Sequence, residues 1–97
     1  MHVGVCRVTL HLPENHSLKD KRQVLKSLTA RLKNRFNVSV AEIDNQDVWQ
    51  TASVGIVCVS NDIRHIHQVL SNVMAFIEDT RLDAQVWDYQ TEVIQAL

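Results

Sequence analysis

Seven of the ten basic residues of this 97-residue chain fall between Ser17 and Phe36. Only one acidic residue, Asp20, lies in the same stretch, which therefore carries a net charge of +6. The rest of the chain has three basic and ten acidic residues, a net charge of −7. Positive charge gathered on one short segment is typical of surfaces that bind phosphate groups or acidic proteins.

The five histidines show no spacing that is typical of a metal-binding motif. His65 and His67 are two positions apart, and on a helix their side chains point about 200° away from each other. His11 and His16 flank a short segment that also carries Glu14, which leaves a weak alternative of a metal site. We predict ordinary surface histidines, and neither a metal nor another cofactor.

No arrangement of nucleophile and base is indicated by the spacing of Ser, Cys, His and Asp residues. The carboxylates Glu42, Asp44 and Asp47 surround a predicted hairpin turn, and we interpret them as solvated turn residues. Trp49 follows them and is predicted to pack in that loop rather than to bind a ligand. The sequence therefore favours a protein that is not an enzyme and has no small-molecule substrate, although Glu42, Asp44 and His11 would line an active site if one existed.

Cys6 and Cys58 lie in apolar, strand-like runs without a nearby Cys or His partner, and are predicted to be buried free thiols. The first residues show neither a charged leader segment nor a long apolar one, and no apolar run is long enough to span a bilayer. We expect a cytoplasmic protein without a membrane partner.

The spacing of apolar residues predicts six elements in a single domain covering residues 1–97. They are strands at Val3–Leu12, Val38–Asp44, Thr51–Ser60 and Leu82–Ile94, and helices at Ser17–Phe36 and from Asp62 to about Thr80. The order β-α-β-β-α-β is the ferredoxin-like pattern of α+β proteins. Right-handed crossovers would place both helices on one face of a four-stranded antiparallel sheet.

The first helix has recognisable ends and one charged residue in an unusual place. Ser17 is a candidate N-cap with Asp20 three residues later, and Asn37 is a candidate left-handed stop. Lys21 falls on the apolar stripe of the helix, so we expect its side chain to extend from the first turn to solvent.

The other basic residues of the helix divide into two groups on either side of the apolar stripe. A basic ridge consists of Lys19, Arg22, Lys26 and Lys33. A second flank consists of Arg31 and Arg35. The ridge could follow a phosphodiester backbone, but it carries no aromatic residue for base stacking. The alternatives are a solvated helix face and neutralisation by acidic residues of the same chain.

The sheet face without helices, here called the open face, combines valines with charged residues. Its predicted members are Val3, Val5, Arg7, Thr9, Val57, Val59, Asp88 and Glu92, together with His11 and Gln90. Such a surface is too apolar to remain bare and too polar for a core. We predict a homodimer packed sheet to sheet, with Arg7 near Asp88 and Glu92, and keep a solvated face as the alternative. Trp87 and Tyr89 are predicted to share the opposite face of the last strand.

The segments Ser17–Arg22 and Arg35–Glu42 resemble the YlxP-like family of small bacterial proteins, and the similarity extends over nearly the whole chain. The resemblance implies a ferredoxin-like domain and, because the genes of the family tend to lie near translation and ribosome-maturation genes, a role close to RNA. The family offers no established catalytic residues to carry over. Charge and resemblance together predict a binding module that contacts RNA or a ribosomal surface. The alternative is a homodimeric module with an acidic protein partner and no nucleic-acid role.

Overall fold

The structure, a computed structural model, describes residues 1–80 and 83–97. Its elements are β1 (His2–His11), α1 (Leu18–Arg35), β2 (Ser39–Asp44), β3 (Thr51–Ser60), α2 (Ile63–Asp79) and β4 (Gln85–Gln95). The predicted ferredoxin-like α+β fold is confirmed. The predicted bounds differ by about one residue, except that the predicted start of the last strand, Leu82, lies outside the described residues.

The four strands form one antiparallel sheet in the order β2-β3-β1-β4. Strand β1 therefore lies between β3 and β4, with Val3 opposite Val59 and Val5 opposite Val57. The ladder between β1 and β4 shifts its register between Thr9 and Leu10. Because side chains alternate between the two faces of a strand, this pairing collects the predicted open-face residues on one side of the sheet.

Both helices cover the other side of the sheet, as predicted. The buried apolar core consists of Cys6, Val8, Leu10, Leu12, Leu28, Leu32, Ala52, Val54, Ile56, Cys58, Ile66, Leu70, Val73, Met74 and Ile77. Each large aliphatic side chain buried there contributes roughly 1.5–3 kcal/mol relative to an exposed one. Both cysteines are buried free thiols, also as predicted. Burial raises the pKa of Cys6 to about 11, so this thiol stays protonated at neutral pH.

Helix α1 ends without the predicted left-handed residue at Asn37. Phe36 caps the helix in an extended conformation, with φ of −131°, and its N–H donates to the Leu32 carbonyl at 2.8 Å. Among the described residues other than glycine, positive φ values occur at Asn45 and Leu97. The prediction for Asn37 is wrong because the chain runs from the helix directly into the extended β2 and needs no reversal there.

In the part of the chain that the structure describes, neither helix is long and apolar enough to cross a membrane.

Candidate functional site

Helix α1 begins with a cap formed by Ser17 and Asp20. The Ser17 Oγ accepts a hydrogen bond from the Asp20 N–H at 3.1 Å, and Asp20 Oδ2 accepts one from the His16 N–H at 2.9 Å. The predicted capping role of both residues is confirmed. The cap satisfies backbone donors at the helix start and fixes where the helix begins.

Lys21 is buried at the head of the apolar stripe, with 1% of its surface exposed. Its Nζ donates to three backbone carbonyls, those of Asn45 at 2.5 Å, Val48 at 2.6 Å and Thr51 at 3.0 Å. The prediction that Lys21 extends to solvent is therefore wrong. The loop between β2 and β3 folds over the first turn of α1, and its carbonyl oxygens take all three ammonium protons.

The charge of Lys21 is compensated by Glu42 of β2. Glu42 Oε2 lies 2.7 Å from Lys21 Nζ, and the Glu42 side chain is 24% exposed. This buried oxygen accepts no hydrogen bond from the described residues, so the nearby ammonium charge is what stabilises it. The interpretation of Glu42 as a solvated turn carboxylate is wrong, whereas Asp44 and Asp47 are exposed.

The loop that covers Lys21 is held by its own polar contacts. Asn45 adopts a left-handed φ of 61°, its N–H donates to Asp44 Oδ1 at 2.8 Å, and its Nδ2 donates to Ser53 Oγ at 2.9 Å. Asn15 Nδ2 donates to the Trp49 carbonyl at 3.1 Å, although half of the Trp49 surface remains exposed. These contacts aim the loop carbonyls at the ammonium group.

The four residues of the basic ridge are all exposed. None of them forms an ion pair with a residue that the structure describes, where the ion pairs are Lys21 with Glu42 and Arg7 with Asp44. Neutralisation by acids of the same chain therefore finds no support among these residues. The ridge presents four uncompensated cations to solvent.

The ridge borders a shallow depression beside the edge strand β2. The depression has a volume of about 400 Å³ and is lined by Arg22, Leu25, Lys26, Thr29, Ala30 and Glu42. Since the Glu42 carboxylate faces Lys21, the positive rim of the depression is not offset by it.

The side chains of the second flank contact the C-terminal end of helix α2. Arg31 Nη1 donates to Thr80 Oγ1 at 3.2 Å, and Arg35 Cζ lies 5.3 Å from the centre of the Phe76 ring. Both arginines remain exposed. The side chains of the second flank are thus held by contacts with α2, whereas those of the basic ridge form no ion pair with the described residues. Helical spacing alone could not reveal this difference.

The open face has the predicted members, and Arg7 forms an ion pair there with Asp44 of β2. Val3, Val5, Thr9 and Val57 are half-buried, and Arg7, Val59, Asp88 and Glu92 are exposed. Arg7 Nη2 lies 3.4 Å from Asp44 Oδ2 of β2, whereas its neighbour on β4 is Gln90. Asp88 and Glu92 lie on either side of Gln90 on the same face, so Arg7 is near them as predicted, although its ion pair within the chain is with Asp44. The sheet-to-sheet homodimer stays a prediction.

Trp87 also belongs to the open face, contrary to the prediction from strict alternation. Its indole stacks on the His11 imidazole with ring centres 4.3 Å apart and an interplanar angle of 11°. The register shift between Thr9 and Leu10 is the reason, because it turns Val86 toward the core and Trp87 outward. A bulge of this kind leaves no clear signal in an apolar–polar pattern.

The described His, Cys, Asp and Glu residues do not cluster into a metal site. Within residues 1–80 and 83–97, no three His, Cys, Asp or Glu side chains lie close enough to hold a metal ion. His11 Nδ1 lies 3.1 Å from the Gln50 carbonyl, and because a carbonyl only accepts, that nitrogen carries the proton. His65 and His67 are exposed on α2.

The chain matches the family DUF503, described as a protein of unknown function, over residues 3–91. It belongs to this family. The uncharacterized protein YlxP of Bacillus subtilis (strain 168) is 48% identical over 62 residues, which cover 64% of this chain and 67% of that protein. The resemblance to the YlxP-like family is thus confirmed.

The de novo designed protein Foldit4 is similar in structure, with a TM-score of 0.54, 14% identity and full coverage of both chains. At this identity the likeness shows the fold alone.

Replacing the buried lysine should cost much more stability than replacing an exposed one. We expect Lys21→Met to lower the free energy of unfolding by about 3 kcal/mol, because three carbonyls and Glu42 lose the ammonium group. Lys26→Met, on the ridge, should change it by less than about 0.5 kcal/mol. Urea unfolding of both variants measures the difference.

Combining Lys21→Met with Glu42→Gln separates the contribution of the ion pair to the free energy of unfolding from that of side-chain packing. Because the second substitution removes the uncompensated charge, the double variant should be less unstable than the sum of the single variants. Equal stabilities for Lys21→Met and Lys26→Met would contradict the anchoring role of Lys21.

Proposed function

We propose that this protein is a non-enzymatic binding module that contacts RNA, or an RNA-rich ribosomal surface, through the basic ridge. The observation that carries the proposal is that four cations lie exposed on one side of α1 without an ion-pair partner among the described residues. Each contact with a phosphate releases counterions from RNA, which makes such a ridge favourable for backbone binding.

The geometry of the ridge suits a backbone more than a base. From Lys19 to Lys33 the helix rises about 21 Å, which is long enough to follow several phosphates of a strand. Phosphate contacts position a protein on nucleic acid but carry no sequence information. The ridge itself should therefore bind RNA with little sequence preference.

Removing two ridge cations should weaken the salt dependence of RNA binding in a predictable way. We expect the combined substitutions Arg22→Gln and Lys26→Gln to reduce the slope of log Kd against log salt by about 1.4 for single-stranded RNA. Arg64→Gln serves as the matched control, since Arg64 is an exposed arginine on α2. Electrophoretic shifts with single-stranded fragments of ribosomal RNA at several salt concentrations measure the slope.

An unchanged slope in the double variant, with the control also unchanged, would reject the ridge as the RNA-binding surface. A loss in the control of about half that in the double variant, in proportion to the one charge removed instead of two, would show that only overall charge matters, which would equally contradict a localised site.

The second candidate function is a homodimeric protein-interaction module with an acidic partner. It is favoured by the exposed apolar side chains of the open face, where Val59 is 59% and Ile94 is 44% exposed. Four strands of this length make a face on the order of 600 Å² when flat. This approaches the roughly 800 Å² that each partner buries in a standard interface.

A charge placed within that apolar area should prevent dimerisation. If the protein is a homodimer, we expect it to sediment at about twice 11.1 kDa at micromolar concentration. We expect Val59→Arg to convert it to a monomer. Ile63→Arg is the matched control, because Ile63 is similarly exposed but lies at the start of α2.

A single 11.1 kDa species at every concentration would contradict the dimer. Capture of an acidic protein that survives nuclease treatment would favour this candidate over RNA binding.

A further inference from the structure

Two clefts meet where the C-terminal end of α1 passes α2. The larger has a volume of about 590 Å³ and is lined by Arg35, Phe36, Asn72, Ala75, Phe76, Asp79 and Thr80. The other has a volume of about 430 Å³, and it also involves Arg35, Phe36 and Asn72. Because three residues line both, the clefts adjoin each other, and we call them together the inter-helix cleft. Each volume is in the range of small-ligand pockets.

The cleft contains two aromatic rings, with a cation over one of them. Phe36 and Phe76 meet edge to face, with ring centres 6.0 Å apart and an interplanar angle of 80°. The guanidinium of Arg35 lies over Phe76, and Arg35 remains exposed. A planar guanidinium supported by an aromatic ring is a surface on which an unstacked nucleobase can lie.

A second arginine provides a place for a phosphate beside that surface. Arg31 lies one turn before Arg35, about 6 Å along the helix axis, and is tied to Thr80, which lines the cleft. Guanidinium groups held by other contacts lose less conformational entropy on binding an anion than free ones. The second flank is therefore better prepared for one phosphate than any pair of the free ridge cations.

The polar residues of the cleft fit the edge of a base. Gln68 and Asn72 are exposed, lie one turn apart on α2, and present amide donors and acceptors toward the cleft. Asp79 only accepts hydrogen bonds, and its charge repels a phosphate. Asp79 directly precedes Thr80, which binds Arg31, so its carboxylate lies on the phosphate side of the cleft, where the guanidinium groups of Arg31 and Arg35 outnumber its single charge.

We propose that the inter-helix cleft binds one unpaired nucleotide of an RNA strand. The base lies on Arg35 and against the amides of Gln68 and Asn72, and the phosphate contacts Arg31 and Arg35. The inference rests on the proposed RNA contact of the ridge and adds a preference for unpaired over duplex RNA, since a paired base cannot enter the cleft. The ridge and the cleft lie on two flanks of a helix only about 10 Å wide, so one folded RNA can reach both.

The first test is a titration of the unmodified protein with adenosine 5′-monophosphate, followed through backbone amide chemical shifts. Adenosine 5′-monophosphate should shift the amides around Phe36, Asn72 and Phe76, and inorganic phosphate alone should leave Asn72 unshifted. Shifts confined to residues outside the cleft, or the same shifts with phosphate alone, would overturn the proposal.

The second test compares variants on RNA. Asn72→Ala should lower the affinity for a single-stranded adenosine hexanucleotide about fivefold and leave the affinity for an RNA duplex unchanged. Asn34→Ala, an exposed asparagine of α1, is the matched control and should change neither affinity. Equal affinities of the Asn72 and Asn34 variants for the hexanucleotide would overturn the cleft site.

These outcomes separate the cleft from the ridge. If the ridge variants lose salt dependence while the Asn72 variant behaves like its control, the cleft proposal fails and the proposed function stands. If the mononucleotide shifts the cleft amides while the ridge variants bind RNA normally, the ridge fails as the RNA-binding surface and the cleft site stands.

Discussion

One ammonium group, that of Lys21, joins the first turn of α1 to the sheet. It is surrounded by the carbonyls of Asn45, Val48 and Thr51 and by the Glu42 carboxylate. A buried cation is unfavourable unless its partners are in place, so helix, loop and strand must come together with this geometry. The position of α1, and with it the placement of every functional candidate on the helix, depends on this cluster.

The cluster also explains how seven basic residues of one helix come to lie in different environments. Lys21 occupies the buried side of α1, which leaves the free ridge on the side of β2 and the arginines of the second flank on the side of α2. The ridge offers charge without fixed geometry, which suits a flexible backbone. The flank offers fixed geometry beside an aromatic floor, which suits a single ligand group. The two surfaces thus complement each other chemically.

Much of the fold follows from local sequence patterns. The nearly continuous apolar run of Thr51–Ser60 and the helical spacing of α2 define their elements within about one residue, because each element packs into a single core. The exposure of the ridge residues was likewise predictable, since charged side chains opposite an apolar stripe face solvent.

The predictions for Lys21 and Trp87 were wrong because the positions of these side chains depend on contacts between distant segments. Lys21 is held by main-chain carbonyls of a loop some twenty-five residues away, and carbonyls have no sequence signal. Trp87 changes face because of a register shift in the pairing with β1, which alternation within β4 does not encode. The floor of the inter-helix cleft forms only when Phe36 and Phe76 meet across two helices.

The lysine side chains in solution give the most direct test of the account, in which Lys21 is a buried structural residue and the ridge lysines contact RNA. All four lysines of the chain lie on α1, so ¹⁵N-labelled ammonium groups at Lys19, Lys21, Lys26 and Lys33 can be compared in one spectrum as RNA is added. We predict a Lys21 signal protected from solvent exchange and unmoved by RNA, and shifts at the three ridge lysines. A Lys21 signal that exchanges like the others, or ridge signals that ignore RNA, would contradict the account.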